Sequence, residues 1–506
     1  MKRFIVPMLT AAAILLFGQT VYAYTMPGDA DGNGKVETRD AAVVLHCTAD
    51  GNISDFGAER RRAMDITYDG SVDVYDAVAI LQLLDRPQIA ENEIITDFSA
   101  LKSAVKNNKQ TIYVKGRIEC SERLDLQKAN SGVSIIGLKD ENGQDAVLDF
   151  AKLRDSITSK GEKGVGIYIK GSGYTLENLI IQNAGDCGVR VKGTDAGNSV
   201  FRNCVFRYNN NSGVSVTAGG RDNSFYNCDS YRNGDIVQNG GDDADGFSVK
   251  LAAAGKNYFY NCRAWENSDD GWDSFRKSGE TGMPEIDYIE CLAWNNGNIK
   301  VFTGEYDYEQ GLPLDKNLLY VQAILKNDPD FESKYNARSI SEWPKVNMQL
   351  FGITKGYTEL YATWGGNPNG YKFGSANSGS DEYRYIENCI AFCHIGSEVK
   401  GKAKGFDQNS ANGLLYDMKN ILAFDNVVNI NMNTMTPKTV SGVVWAFDKA
   451  AALDGKSYSE AKGSLNVSEP SNKAELKTKV YAYRDMICDH VYNDMIPGEK
   501  ICDVFE

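Results

Sequence analysis

Asn203-Cys204, Asn227-Cys228, Asn261-Cys262, Glu290-Cys291 and Asn388-Cys389 mark one recurring position of the chain, with Asn178-Leu179 before them and Asn420-Ile421 after. A second marker follows each: Gly188-Val189, Gly213-Val214, Gly246-Phe247, Gly271-Trp272, Gly370-Tyr371 and Gly405-Phe406. The commonest interval is 24 or 25 residues, the length of one three-strand coil of a parallel β-helix, and longer intervals read as insertions. In such a solenoid each coil stacks on the last at the strand spacing of roughly 4.8 Å, so residues sharing a repeat position form columns. The Asn and Cys columns read as interior ladders. No Cys-x-x-Cys pair accompanies the thiols, so core packing is the better account of them than metal binding. The fold class is therefore all-β, a right-handed parallel β-helix, expected over residues 97–450.

Outward from this repeat, the composition agrees. There are 49 glycines against 11 prolines, which suits many tight turns between short strands. A net charge of -14 argues against a nucleic-acid partner. An acidic protein acting on a polyanion needs local neutralisation, which a divalent cation supplies. Eleven cysteines leave at least one unpaired within the chain. The histidines, His46, His394 and His490, lie on different segments and build neither a zinc site nor a triad.

Aligning the coils on the Gly-aromatic marker exposes a candidate site. The residue before the glycine is Cys187, Ser212, Asp245 and Asp270 in turn, so two carboxylates share a column on adjacent coils. Asp269 and Asp273 flank the second of them. If Val189, Val214, Phe247 and Trp272 point inward, alternation sends Asp273 outward onto an exposed groove. Four carboxylates this close stay ionised only with a cation among them, and calcium is the expected one. The next coil starts at Glu290-Cys291 but reaches its marker only at Gly370-Tyr371, which makes residues 297–369 a long insertion. Lys372 then falls in the outward column of Asp273, one coil along, with Asp407 beyond it. Such a lysine can take the C5 proton of a galacturonosyl unit while calcium binds the C6 carboxylate. A divalent cation lowers its pKa and the flanking carboxylates raise it, so an alkaline optimum is expected. Lys250, Arg276 and Lys277 lie near enough to hold substrate carboxylates, or to be solvated surface charges.

The segments Asp245-Gly246-Phe247, Trp265 to Asp273, Asn369 to Gly374 and Lys404 to Asn409 resemble the family nine polysaccharide lyases, in order over about residues 97–450. By that resemblance Asp245, Asp269, Asp270 and Asp273 are calcium ligands and Lys372 is the base. The activity implied is β-elimination of polygalacturonate to 4,5-unsaturated oligogalacturonides. Two alternatives stand beside it: a glycoside hydrolase with a metal-free carboxylate pair, and a non-catalytic pectin-binding subunit.

Ahead of the repeat, Asp29 to Asp40 and Asp65 to Asp76 each carry the spacing of an EF-hand loop followed by one helix, Ala41 to Cys47 and Ala77 to Leu84. The expected ligands are Asp29, Asp31, Asn33, Lys35 and Asp40 in the first loop, and Asp65, Thr67, Asp69, Ser71 and Asp76 in the second, with Lys35 and Ser71 acting through their carbonyls. The duplication resembles a type I dockerin over residues 27–87. That implies docking on a cohesin of a scaffoldin or cell-surface protein through Thr38, Arg39, Val74 and Tyr75; a calcium-stabilised spacer is the alternative. Residues 1–23 have the layout of a secretory signal, so secretion is expected. Residues 88–96 read as a linker and residues 451–506 as an extension of unassigned role. No later stretch is apolar for the roughly 20 residues that a membrane span requires.

Overall fold

The computed structural model describes residues 28–33, 35–67, 71–84, 89–156, 161–277, 279–280, 284–346, 364–374, 383–395, 403–408, 414–432, 436–446, 451–453, 456–457, 466–468 and 471–491. The candidate signal segment 1–23, Asp69, Asn409 and Cys502 lie outside them. The chain divides near residue 85 into two compact units.

The smaller unit contains helices Thr38–Asp50 and Val74–Leu84, each directly after an acidic loop, with Ala58–Met64 between them. This middle helix carries no loop motif and was not anticipated from the repeat. Ala41, Val44, Cys47, Met64, Ala77 and Ile80 form the unit's core.

In the larger unit, short parallel strands wind into a β-helix with three faces. One face is a sheet running from Leu124–Leu126 through Ile167–Ile169, Val189–Lys192, Val214–Thr217, Phe247–Val249, Trp272–Asp273, Asn369–Lys372, Lys404–Asp407 and Val428–Met432 to Ala451–Leu453. The other two faces meet at a left-handed corner residue on seven successive coils: Asn178, Asn203, Asn227, Asn261, Glu290, Asn388 and Asn420 have φ between 49° and 56°. Asparagine tolerates this conformation better than other side chains that have a Cβ. Its amide then reaches the neighbouring coil, as in Asn203 Nδ2 to Asn178 Oδ1 at 3.0 Å and Asn227 Nδ2 to Asn203 Oδ1 at 2.7 Å. The expected Asn column is thus a corner ladder, and the interior belongs to the cysteine that follows. Cys204, Cys228, Cys262, Cys291 and Cys389 are fully buried free thiols. Each Sγ lies within hydrogen-bonding reach of a carbonyl of the preceding coil, such as Leu176 O from Cys204 at 3.3 Å and Phe225 O from Cys262 at 3.4 Å.

The glycine column has a steric cause. A Cβ on Gly213 would stand 2.9 Å from the Gly246 carbonyl oxygen, one on Gly246 2.7 Å from Gly271 O, and one on Gly271 2.6 Å from Gly370 O. The residue after each glycine turns inward, and the rings stack along the axis: Trp272 on Tyr371 at 4.7 Å and Tyr371 on Phe406 at 4.7 Å between centroids. Gly271→Ala is therefore expected to destabilise the coil by about 2 kcal/mol or more, because backbone must move to admit the methyl group. Denaturant unfolding of the variant would read this as a lower midpoint, and an unchanged midpoint would refute the steric account.

The insertion after Asn296 folds into helices Ile299–Thr303, Glu305–Glu309, Leu319–Asn327 and Phe331–Asn336. It is held to a second left-handed corner that includes Tyr208, Arg232 and Glu266. The buried Arg232 guanidinium bonds Glu266 at 2.8 Å, and Asp307 and Asp315 of the insertion at 2.6 Å each. Tyr208 OH donates to Asp315 at 2.8 Å. Solenoid strands continue past residue 450 to Asn466–Ser468, and helix Lys473–Val491 packs on an outer face of the coils, with Tyr481 against Phe392 and Phe424.

Candidate active site on one sheet of the solenoid

On the sheet that begins at Leu124, strand pairing is in register, so sequence position translates directly into columns. Ser248 pairs with Asp273, Asp273 with Lys372, and Lys372 with Asp407. The residues preceding the glycines add Ser212, Asp245, Asp270 and Asn369. Asp245, Asp270 and Asp273 each offer a carboxylate oxygen, all within 4.8 Å of one another. Asp269 stands apart from this trio, its Oδ1 accepting from the backbone N–H of Asn367 at the end of the insertion.

Two lysines thread the carboxylates. Lys372 Nζ donates to Asp270 Oδ2 at 2.8 Å and lies 3.4 Å from Asp273 Oδ1. Lys250 Nζ donates to Asp245 Oδ2 at 2.7 Å and to Asp273 Oδ2 at 2.6 Å. Ser248 Oγ also donates to Asp245 Oδ2 at 2.6 Å, and Asn369 Nδ2 to Asp270 Oδ1 at 2.7 Å. The groove expected to leave Asp273 exposed is closed over it: Asp273 is 1% exposed and Lys372 7%. The acids and lysines cover one another, and the Phe275 ring stands 5.7 Å from Lys372 Nζ. Of the other basic candidates, the Arg276 guanidinium bonds the Glu280 carbonyl through Nε at 2.9 Å, and Lys277 donates its backbone N–H to the Glu280 carboxylate.

The electrostatics follow from burial and mutual charge. Burial pushes Asp270 up to about 8 against the pull of Lys372. Burial and the neighbouring Asp270 hold Asp269 well above the usual carboxylate range, and burial also raises Asp245. At Asp273 burial opposes ionisation, but Lys250 and Lys372 outweigh it and keep the group below its ordinary value. Burial favours neutral Lys372, yet Asp270, Asp273, Asp269 and Asp245 together lift it well above the usual lysine range. Burial holds Asp270, Asp269 and Asp245 back from ionising beside only two lysines, and a divalent cation would supply the positive charge that lets them ionise together. The donor set fits a hard cation, since every ligand is an oxygen. Asn369 Oδ1 is a further buried oxygen with no hydrogen-bond partner among the described residues.

Sequence reasoning missed Asn369 and the serines, although continuing the pre-glycine column by one coil reaches Asn369 at once. It also missed that Lys250 lies inside the acid cluster, which depends on side-chain reach and carries no sequence signal.

In the smaller unit, Asp29, Asp31 and Asp40 likewise bring carboxylate oxygens within 4.8 Å of one another. Asp40 accepts from the N–H groups of Asp31 and Glu37. In the second loop Thr67 gives its hydroxyl to Asp76 at 3.0 Å, and burial raises Asp76 to about 6. Arg39, Val74 and Tyr75 are exposed, Tyr75 by 68%.

Residues 90–311 match the family described as Pel9A-like, right handed beta helix region, in agreement with the parallel strands that wind there. Among curated proteins, the chain is 26% identical over 317 residues to pectate lyase L of Paenibacillus polymyxa strain SC2, covering 60% of this chain and 64% of that one. It is 40% identical over 110 residues to pectate lyase L of Dickeya chrysanthemi, covering 22% and 25%. The chain thus spans less than two thirds of the length of these relatives. Among solved structures it is similar to the crystal structure of pectate lyase Pel9A, with 22% identity, a TM-score of 0.47, and coverage of 74% and 73%.

Proposed function

We propose that this chain is a calcium-dependent pectate lyase that cleaves polygalacturonate by β-elimination, with Lys372 as the base. The observation that carries the reading is the pairing of Lys372 with Asp273 on adjacent strands, one coil from Asp245 and beside Asp270. Asp245, Asp270 and Asp273 would hold the cation, with Asp269 next to them. When bound, calcium supplies positive charge that draws electron density from the C6 carboxylate of a galacturonosyl unit and offsets the surrounding acids. Lys372 Nζ accepts the C5 proton. The C5–H electron pair becomes the C4–C5 double bond as the C4–O bond breaks, and the departing oxygen is protonated from solvent. No water is added, which separates this reaction from hydrolysis.

Lys372 acts only when neutral, and the carboxylates that hold its ammonium oppose that state. Raising the pH increases the neutral fraction. The rate on polygalacturonate should therefore climb from about pH 7 to about pH 10, followed by the ultraviolet absorbance of unsaturated uronide. Chelator should abolish the absorbance and added calcium restore it, and Asp270→Asn should weaken calcium binding about tenfold or more. Reducing ends without absorbance would make the protein a hydrolase; no turnover on any acidic glycan would make it a binding subunit.

The loops of the smaller unit support a dockerin-like role in which calcium braces two helices that meet a cohesin, with Tyr75 and Val74 exposed for contact. Residues 1–23 support export of the protein. Among the described residues no helix is long and apolar enough to cross a membrane.

A further inference from the structure

Behind the site sheet runs a second, fully buried ladder of side-chain amides. Asn209 Nδ2 donates to Asn233 Oδ1, Asn233 Nδ2 to Asn267 Oδ1, and Asn267 Nδ2 to Asn296 Oδ1, each at 2.9 to 3.0 Å. The next rung is a histidine. His394 Nε2 lies 3.2 Å from Asn296 Nδ2, and His394 Nδ1 lies 2.8 Å from Asn426 Oδ1.

The neighbours fix which nitrogen carries the proton. Asn296 Oδ1 already accepts from Asn267 N and Nδ2, so Asn296 must present its N–H to the ring, and Nε2 accepts. Asn426 Nδ2 is spent on Ala391 O and Asn429 Oδ1, so Asn426 presents its oxygen, and Nδ1–H donates. Only the neutral Nδ1–H tautomer satisfies both sides. A second proton on Nε2 would face the Asn296 N–H.

The ring also stands against the strand that carries Lys372. A Cβ placed on Gly370 would meet His394 Cε1 at 3.0 Å, so ring and backbone are in contact there. We infer that His394 is a positioning residue for the base: as a neutral, single-tautomer rung it carries the amide ladder across this coil and sets the strand Asn369–Lys372 through Gly370.

Among the described residues, the elements packed around the ring bring amides and no free charge. Asn296, Asn426 and Asn429 are neutral. Lys372 on the strand of Gly370 is bonded to Asp270, and Lys404 on the next strand to Asp407. Cys393 bonds Tyr481, and Asp425 bonds Lys477 and Tyr481. Tyr371 turns inward into the aromatic stack. Burial accordingly pushes His394 down to about 4. The sign is that of a group protonated more readily when unfolded: its contribution to stability is complete above about pH 6.5 and is lost as the pH falls toward the folded value.

The test compares the full-length protein with His394→Gln, which keeps a donor and an acceptor, and His394→Phe, which keeps only a ring. In His394→Phe kcat should fall about tenfold with KM within about twofold, and His394→Gln should recover most of the loss. Nitrogen-15 spectra of the unsubstituted protein should show a neutral Nδ1–H imidazole at pH 6, and its unfolding midpoint should drop between pH 6.5 and pH 4 more steeply than that of His394→Gln. Undiminished kcat in His394→Phe, an Nε2–H tautomer, or an imidazolium at pH 6 would each overturn the inference. The kinetic arm rests on the lyase reading. Failure of that reading would show as no unsaturated uronide from the unsubstituted protein, whereas the nitrogen spectra test the rung regardless.

Discussion

Lys372→Ala is expected to lower the rate of unsaturated-uronide formation by about 10³-fold or more, the span a positioned general base commands. The lysine touches Asp270 and Asp273 and no other carboxylate within bonding distance among the described residues, so its removal takes away the proton acceptor and unmasks two acids. Calcium binding should therefore survive or tighten while turnover disappears, a split that calorimetry beside absorbance assays reads directly. Lys372→Arg sharpens the test. It keeps the positive charge, yet a guanidinium stays protonated throughout the working range and cannot take a proton. An Arg variant with more than about a tenth of the original kcat would show that charge, and not basicity, is what position 372 supplies, and the assignment of the base would fall.

The second large effect is structural. Arg232→Met should destabilise the larger unit by about 3–5 kcal/mol, because it leaves Glu266, Asp307 and Asp315 buried without their shared cation. Burial already pushes Asp307 up to about 6 with the guanidinium in place. The insertion should detach before the coils unwind. Its far end donates the Asn367 N–H to Asp269, so activity should fall along with anchoring. Limited proteolysis would place early cuts between residues 297 and 346, and denaturant unfolding would gain an early phase. If cutting is no faster than in the unsubstituted protein, the corner does not anchor the insertion.

The coil repeat was legible because parallel, in-register stacking turns a sequence period into a spatial column with no further information. The same arithmetic places Asp273, Lys372 and Asp407 side by side. The insertion was opaque for the opposite reason. Its hold on the solenoid joins Arg232 to residues 75 and 83 positions away, and no period relates them. The buried ladder was hidden by its own uniformity: asparagines abound in the turns, and which of them point inward depends on the left-handed residue just before each. His394 departs from that pattern by residue type, and three scattered histidines gave no reason to look for it among amides. The closure of the groove over Asp273 was illegible as well, since alternation gives the direction of a side chain and not what lies upon it.

The cysteine column reverses the usual relation between thiols and maturation. In a protein stapled by disulfides, oxidation completes the fold; here five thiols on neighbouring coils reach their final state by sinking beneath backbone carbonyls, still reduced. Once the coils have closed, the redox poise of the surroundings has little hold on them, because an oxidant cannot reach a fully covered sulfur. Before closure they are open neighbours along the chain, and a bridge between any two would force sulfur into a space built for one side chain per coil. The interval in which oxidant can do harm is thus the folding time itself.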